Sequence, residues 1–575
     1  MTKQKTLNWN KIGQYGLISG IVIIYLSLVG MVETFHDRDV IFEYLSLGRA
    51  LLVIVGIGMG YMIASRATNG TFGQVLMGSV VGGLISVVLV GLLVILSSAV
   101  DMREMFVNAS PALNEILTFA EELELTLPQN LATGLLALAA YLIAFHIFGG
   151  LIFMLPQLLE RFVVIGLGAV LIIGMLQELL EVIINRYKSL TWLSDFLFAD
   201  GLKPVAALVV FVVFGGALAL WAAQGEKVRQ GMAGLPSTQQ RALNWVFISA
   251  LIIILIFLPQ LVGPYISQIL VLVGLFILMG LGLNIEIGLA GLLDLGFVGF
   301  YAIGAYMVAL ATSTSEIGLG GGESFTNFWV VIPLAVIVSA LSGVFLGIPV
   351  LRMRGDYLAI VTLGLAEIIR ILVLSDFLRP VLGGAQGILN IPKPVIAGID
   401  FTVKDPGHFY YLIVLGCVII AFIAYRLQQA RIGRNWMALR EDEDVAEAMG
   451  INLIISKLLA FGIGAAFAGL AGAIFAAQVG SIFPHSFQLL ISINVVSLVI
   501  IGGVGSIPGV VLGALVLVGL PELLREFAEF RLLIYGALLI VMMLVRPEGL
   551  WPSEVTRREL SDEDALDPIP TPASK

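Results

Sequence analysis

The chain has 575 residues, of which 59% are hydrophobic and 12% charged, with a formal net charge of −9 and a mean hydropathy of +1.02. Soluble domains carry about 25% charged residues, and apolar runs of eighteen or more residues recur here, each long enough to cross a hydrocarbon core. That excludes a soluble globular fold. One cysteine, Cys417, excludes a disulfide framework or a Cys-based metal site. The histidines His36, His146, His408 and His485 share no metal-ligand spacing, and no basic stripe points to nucleic acid.

The chain reads as an all-α polytopic membrane protein in contact with lipid. An open sheet would leave backbone groups unsatisfied in lipid, and the alternation of an outer-membrane barrel is absent. Lys3, Lys5 and Lys11 precede a first apolar run at 15–32, read as an uncleaved span. Further runs at 46–65, 73–97, 129–155, 162–183 and 204–223 complete an N-terminal region of six spans, 1–224. A polar linker follows at 225–241, GEKVRQGMAGLPSTQQR. A second region, 242–552, holds ten more runs, near 244–262, 266–284, 288–312, 328–350, 356–374, 409–425, 457–478, 487–504, 508–522 and 531–546. The expected total is about sixteen spans, some discontinuous. An acidic, disordered tail at 553–575 closes the chain. The Lys/Arg bias of the short loops puts both termini, the linker, Arg352–Arg354 and the block 426–456 on the cytoplasmic side.

Small-xxx-small pairs in the first region, Gly56–Gly60 and Gly78–Gly82, read as helix packing. The second region has two glycine-dense stretches, 282–306 and 500–519, the latter containing Pro508. Interrupted apolar segments in corresponding places of two halves point to a transport path, although tight packing around glycine explains such stretches equally well. Intramembrane ionisable groups are functional candidates by default. The candidate path is therefore Asn284, Glu286, Gly291, Asp294, Gly296, Tyr301, Gly502, Gly503 and Gly505. Glu367 and Arg370 stand three apart on one helix and read as a structural pair. Loop 376–408 is long and Gly/Pro-rich, either a connector or a docking surface.

Residues 436–456, WMALREDEDVAEAMGINLIIS, form a charged, helix-compatible block between apolar runs, flanked by Arg431, Arg434 and Lys457. No catalytic set is present. The dipeptide Gly-Lys never occurs, so the chain has no phosphate loop of its own, and HExxH is missing.

Segments GLNIEIGLAGLLDLGFVGFYAIGAY (282–306), LRMRGDYLAIVTLGLAEIIRI (351–371), GGAQGI (383–388), IIGGVGSIPGVVLGA (500–514) and VRPEGLW (545–551) resemble the LivM-type permease of branched-chain amino acid ABC importers over about 244–552. The resemblance implies an ABC importer permease core in a bacterial or archaeal inner membrane. It implies a LivH-type sister permease, two cytoplasmic ABC ATPases and an external solute-binding protein as partners. ATP and Mg would sit on the ATPases, with no cofactor on this chain. It also implies an ATPase-coupling loop of the E-A-A-x-x-x-G type, here a degenerate Asp444-Val445-Ala446 ending at Gly450, with Arg440 and Glu447 in the same block. The six N-terminal spans lie outside that core. Three alternatives stay open: a urea or short-chain amide permease, an ion-coupled secondary transporter, and a membrane scaffold.

Overall fold

The computed structural model describes residues 7–68, 70–120, 130–233, 237–350, 353, 355–396, 399–401, 407–523 and 530–553. The predicted tail from residue 554 onward, Arg352, Arg354 and linker residues 234–236 lie outside them. Apart from two short antiparallel hairpins, Asp39–Ile41 with Leu45–Ser46 and Val395–Ile396 with Ile399–Asp400, the described regular structure is helical. The chain divides into two compact units, 1–247 and 248–575.

Among the described residues, twelve helices are long and apolar enough to cross a membrane, with two shorter apolar helices at Val298–Thr312 and Ile507–Leu523. The expected count was about sixteen, some of them discontinuous; the described residues hold fewer full spans, because several apolar runs are broken at glycines and the run at 531–546 is a fifteen-residue helix, Arg531–Val545. The runs at 244–262 and 266–284 fall in one apolar stretch, Ser249–Leu289. Gly263 breaks it, at φ 87° just ahead of Pro264, a combination that removes a helical hydrogen bond and a helical backbone angle together. The run at 288–312 is a π-turn, a loop and a fifteen-residue helix. The run at 508–522 is an eight-residue helix, Ile507–Ala514, that continues into a second π-turn, Leu515–Gly519.

In the first unit, glycine lets helices meet at backbone distance. A Cβ at Gly60 of Leu47–Ala67 would strike the carbonyl of His146 on Leu131–Met154, and one at Gly149 would strike the carbonyl of Ile57. Gly82 of Phe72–Ala99 packs on Ile63, and Gly16 of Trp9–Leu28 meets the Gly82 carbonyl. His146 is fully buried, and its Nδ1 lies 2.8 Å from the Leu142 carbonyl one turn back.

The second unit is organised on Leu453–Val479, a helix of 27 residues. Its Gly/Ala face is buried against Val298–Thr312 and Phe328–Val350. A Cβ at Gly472 would overlap the Tyr301 carbonyl, one at Gly469 the Ser339 hydroxyl, and one at Gly304 the Gly469 backbone. Such contacts replace the hydrophobic driving force that is missing between helices in lipid. Asn452 caps the helix, its Oδ1 accepting the Ile455 N–H at 3.0 Å, and left-handed Gly480 ends it.

Candidate coupling and translocation site

The two glycine-dense stretches meet. Helix Ser237–Leu283 runs into the π-turn Asn284–Leu289, and the chain then leaves helical geometry until Val298. π-turns inside helices mark functional sites more often than chance. The second interruption is the turn after Leu489–Gly502, where Gly503 and Gly505 take φ of 121° and 80°. Asn284 joins the two, its Oδ1 accepting the Gly505 N–H at 2.8 Å. Gly288 lies so close to Gly505 that a Cβ on it would come within 2.6 Å of the Gly505 nitrogen.

Backbone groups freed by the first break find side-chain partners on other helices. The Leu295 N–H donates to Thr362 Oγ1 at 3.1 Å, and the Val298 N–H to Ser492 Oγ at 2.9 Å. Asp294 Oδ1 accepts the Gly296 N–H at 2.6 Å. Irregular backbone at membrane depth is tolerated only when satisfied this way. Glu286 and Asp294, 0% and 1% exposed, are close enough to interact. Neither Glu286 oxygen has a hydrogen bond of ordinary geometry, and Asp294 Oδ2 has none. Glu286 is held against Gly464 of the central helix, where any larger residue would collide with it.

Tyr301, Gly502 and Gly503 make other contacts. Tyr301 sits in an aromatic group with Phe475 and Phe487, at ring centroid distances of 5.4 and 5.6 Å. Gly502 and Gly503 serve packing. The Trp551 N–H donates to the Gly502 carbonyl at 2.9 Å, and Gly503 lies against the Trp551 carbonyl. Asp294 and Gly296 line a shallow depression with Phe300, Thr362 and Phe461. A second shallow depression is lined by Val298, Tyr306, Arg370 and Phe487. Arg370 Nε donates to both oxygens of Glu367 at 3.0 and 2.9 Å, and Nη2 adds a third bond to Oε1. This pair, partly exposed, sits beside an outward face formed by Tyr357, Ile360, Ile368 and Ile371.

The charged block is two helices rather than one, Arg431–Glu441 and Glu443–Ala448, divided at Asp442. Asp442 takes extended backbone angles, and its Oδ1 accepts the N–H groups of Asp444 and Val445, both at 2.9 Å. It is the N-cap of the second helix, and Asp444, the first position of the expected coupling motif, lies in that helix's first turn. The other end is a Schellman motif. Gly450, at φ 87°, donates to the Glu447 carbonyl at 2.9 Å, and Ile451 donates to the Ala446 carbonyl at 3.1 Å. Ala446 faces inward, 2% exposed, whereas Val445 and Met449 are 59% and 79% exposed. Asp444, Glu447 and Gly450 are exposed beside them.

Arg440 belongs to the first helix and faces the opposite way. Its Nη1 donates to the Gly288 carbonyl at 2.9 Å, and its side chain packs on Gly291. Two further contacts, which the spacing did not reveal, bind the block to the central helix. Trp436, fully buried, donates from Nε1 to the Ser456 carbonyl at 2.8 Å, and Lys457 pairs with Glu443 at 2.7 Å. Lys457 was legible only as a flanking charge, because its partner lies across a turn.

Comparison with known proteins identifies this framework. A family described as "Branched-chain amino acid transport system / permease component" matches residues 265–545. The chain is 39% identical over 380 residues to the high-affinity branched-chain amino acid transport system permease protein LivM of Salmonella typhimurium, covering 62% of this chain and 83% of that protein. The chain belongs to this permease family. LivM of Escherichia coli is 40% identical over 336 residues, covering 55% of this chain and 76% of that protein. The permease LivH of Escherichia coli is 28% identical over 197 residues, covering 32% and 63% respectively. No solved structure matches. The family match takes in both broken segments, the charged block and the central helix, while residues 1–224 lie outside it.

Proposed function

We propose that the chain is the transmembrane permease subunit of an ATP-driven importer for branched-chain amino acids. The identity to LivM permeases over most of their length carries this reading. A LivH-type sister permease completes the translocation path, two cytoplasmic ABC ATPases supply the energy, and an external solute-binding protein delivers the substrate. ATP and Mg reside on the ATPases, and this chain contributes no catalytic residue. The protein sits in a bacterial or archaeal inner membrane with both termini in the cytoplasm.

In this reading the helix Glu443–Ala448 docks on an ATPase. Its exposed Val445 and Met449, with Asp444 and Glu447 beside them, offer an apolar contact with a polar rim. The short helix is fixed at both ends by Asp442 and Gly450, so a push on it moves a rigid body. Arg440 passes the displacement to the broken segment at Gly288 and Gly291. The outward face of Asp356–Leu374, with the Glu367–Arg370 pair beside it, is where the sister permease closes the path. Purification of the tagged chain from its native cell tests the reading: an ABC ATPase and a second permease must accompany it. Uptake of leucine into proteoliposomes must stop when ATP is withheld under a sustained ion gradient, which sets this reading apart from an ion-coupled carrier.

A further inference from the structure

The helix Leu453–Val479 is clamped by a lysine at each end. Twenty-seven residues at about 1.5 Å each span roughly 40 Å, so its ends lie at opposite faces of the membrane. At the first end, Lys457, 4% exposed, pairs with Glu443 of the docking helix at 2.7 Å. At the second end, the Lys393 ammonium donates to the carbonyls of Ala477, at 3.0 Å, and Gln478. These belong to the last turn, whose carbonyls have no helical partner and carry the negative end of the helix dipole. Lys393 also lies 5.7 Å from the centre of the Phe409 ring.

Lys393 is carried by the Gly/Pro-rich loop of residues 383–396. That loop is pinned to the same helix end by backbone pairing: Ile388 and Ile482 exchange hydrogen bonds at 2.9 Å each, and the Ile391 N–H donates to the Gly480 carbonyl at 2.9 Å. Its turns rest on Gly383, Gly384 and Gly387, all at positive φ. Between the clamps the helix presents glycines to its neighbours at backbone distance, so an axial displacement is carried along its length rather than absorbed by side chains.

We infer that Lys393 is the positioning residue through which loop 383–396 communicates with the ATPase-docking helix, the Leu453–Val479 helix acting as the rod between them. This rests on the permease reading above. The occupant of the loop is the protein that delivers substrate on that face. Its arrival shifts the loop, Lys393 pulls on the helix end, and Lys457 displaces Glu443 at the far end. Communication of this kind is a coupling free energy and runs equally in both directions for binding.

The complete complex, reconstituted in nanodiscs with its ATPases, sister permease and solute-binding protein, tests the inference. Wild-type complex must copurify with its ATPase and respond to liganded binding protein; a failure there strikes the permease reading and not the role of Lys393. Given that response, Lys393→Met keeps the length of the side chain and removes the ammonium. Stimulation of ATP hydrolysis by the binding protein is expected to fall about five- to tenfold, at the low end of measured inter-site couplings. Basal hydrolysis and the size-exclusion profile stay as in wild type, and Lys393→Arg restores most of the response. Lys457→Met causes a similar loss, and the double variant is no worse than either single one, as for two links in one chain. Stimulation within twofold of wild type in Lys393→Met, or fully additive losses in the double variant, overturns the inference. Hydrogen exchange on the wild-type complex needs no variant. Amides of 387–393 must change protection when ATP is bound by the ATPases, and unchanged exchange there also overturns it.

Discussion

Gly450 offers the cleanest separation of backbone from side-chain effects in the short helix Glu443–Ala448. It sits at φ 87°, and a Cβ built on it meets nothing within 4 Å. Substitution therefore meets no steric barrier within this chain, and the whole cost arises from holding an L-residue in the left-handed region, roughly 1–2 kcal/mol. If docking requires the Schellman end as built, Gly450→Val lowers the fraction of competent helix, and hence ATPase affinity, by roughly five- to thirtyfold. Gly450→Asn, which tolerates that conformation, falls between Val and wild type. The assay is titration of purified ATPase onto nanodisc-embedded permease pair, with permease melting temperature as a control. Wild-type affinity in Gly450→Val, or an Asn variant as damaged as Val, refutes the reasoning, since neither follows from a backbone cost.

Asp294→Asn keeps an oxygen for the Gly296 N–H and is expected to change thermal stability little, whereas Asp294→Ala leaves that buried donor unpaired and costs about 1–3 kcal/mol. The same pair of variants assayed for uptake shows whether the carboxyl itself acts in transport: unchanged uptake in Asp294→Asn assigns it to structure. Gly472→Leu drives a side chain into the Tyr301 carbonyl and is expected to abolish the monodisperse peak in fluorescence-detected size exclusion. Gly168→Leu, at a position where a Cβ meets nothing within 4 Å, keeps that peak. Arg440→Met removes the charged hydrogen bond to the Gly288 carbonyl; transport is expected to fall more than ATPase binding, and equal loss of both argues against a linking role. Deleting residues 1–224 is expected to leave a chain that inserts and binds its sister permease, and loss of insertion contradicts a separable core.

The spans were legible because an apolar run of twenty residues has few alternatives to a helix in lipid. Their interruptions were legible in kind but not in form. Gly288, Gly291 and Gly296 announce a break, yet hydropathy alone does not distinguish a full span at 288–312 from a π-turn, a loop and a short helix. The loop exists because Thr362 and Ser492, far off in sequence, supply partners for its freed N–H groups. The charged block shows the same division. Its glycine stop was readable at Gly450, because that residue ends a helix-compatible run. The switch at Asp442, and the opposite facing of Arg440 and Val445, depend on which side packs against the central helix. Lys393 gave no signal at all. A lysine between two prolines in a loop reads as solvated, and only the fold brings it to the last turn of a helix over eighty residues away. Burial pushes its pKa below the ordinary lysine range, a cost offset by the two carbonyls and the Phe409 ring that it meets.

Under the proposed function, this chain transports by coupling to a separate ATPase. The most direct measurement is leucine uptake into proteoliposomes containing the purified permease pair, with the binding protein outside and ATPases with ATP inside. Uptake that requires ATP and the ATPase, and persists when all ion gradients are collapsed, is the predicted result. Uptake by the permease pair alone, driven by an ion gradient without ATPase, would contradict it.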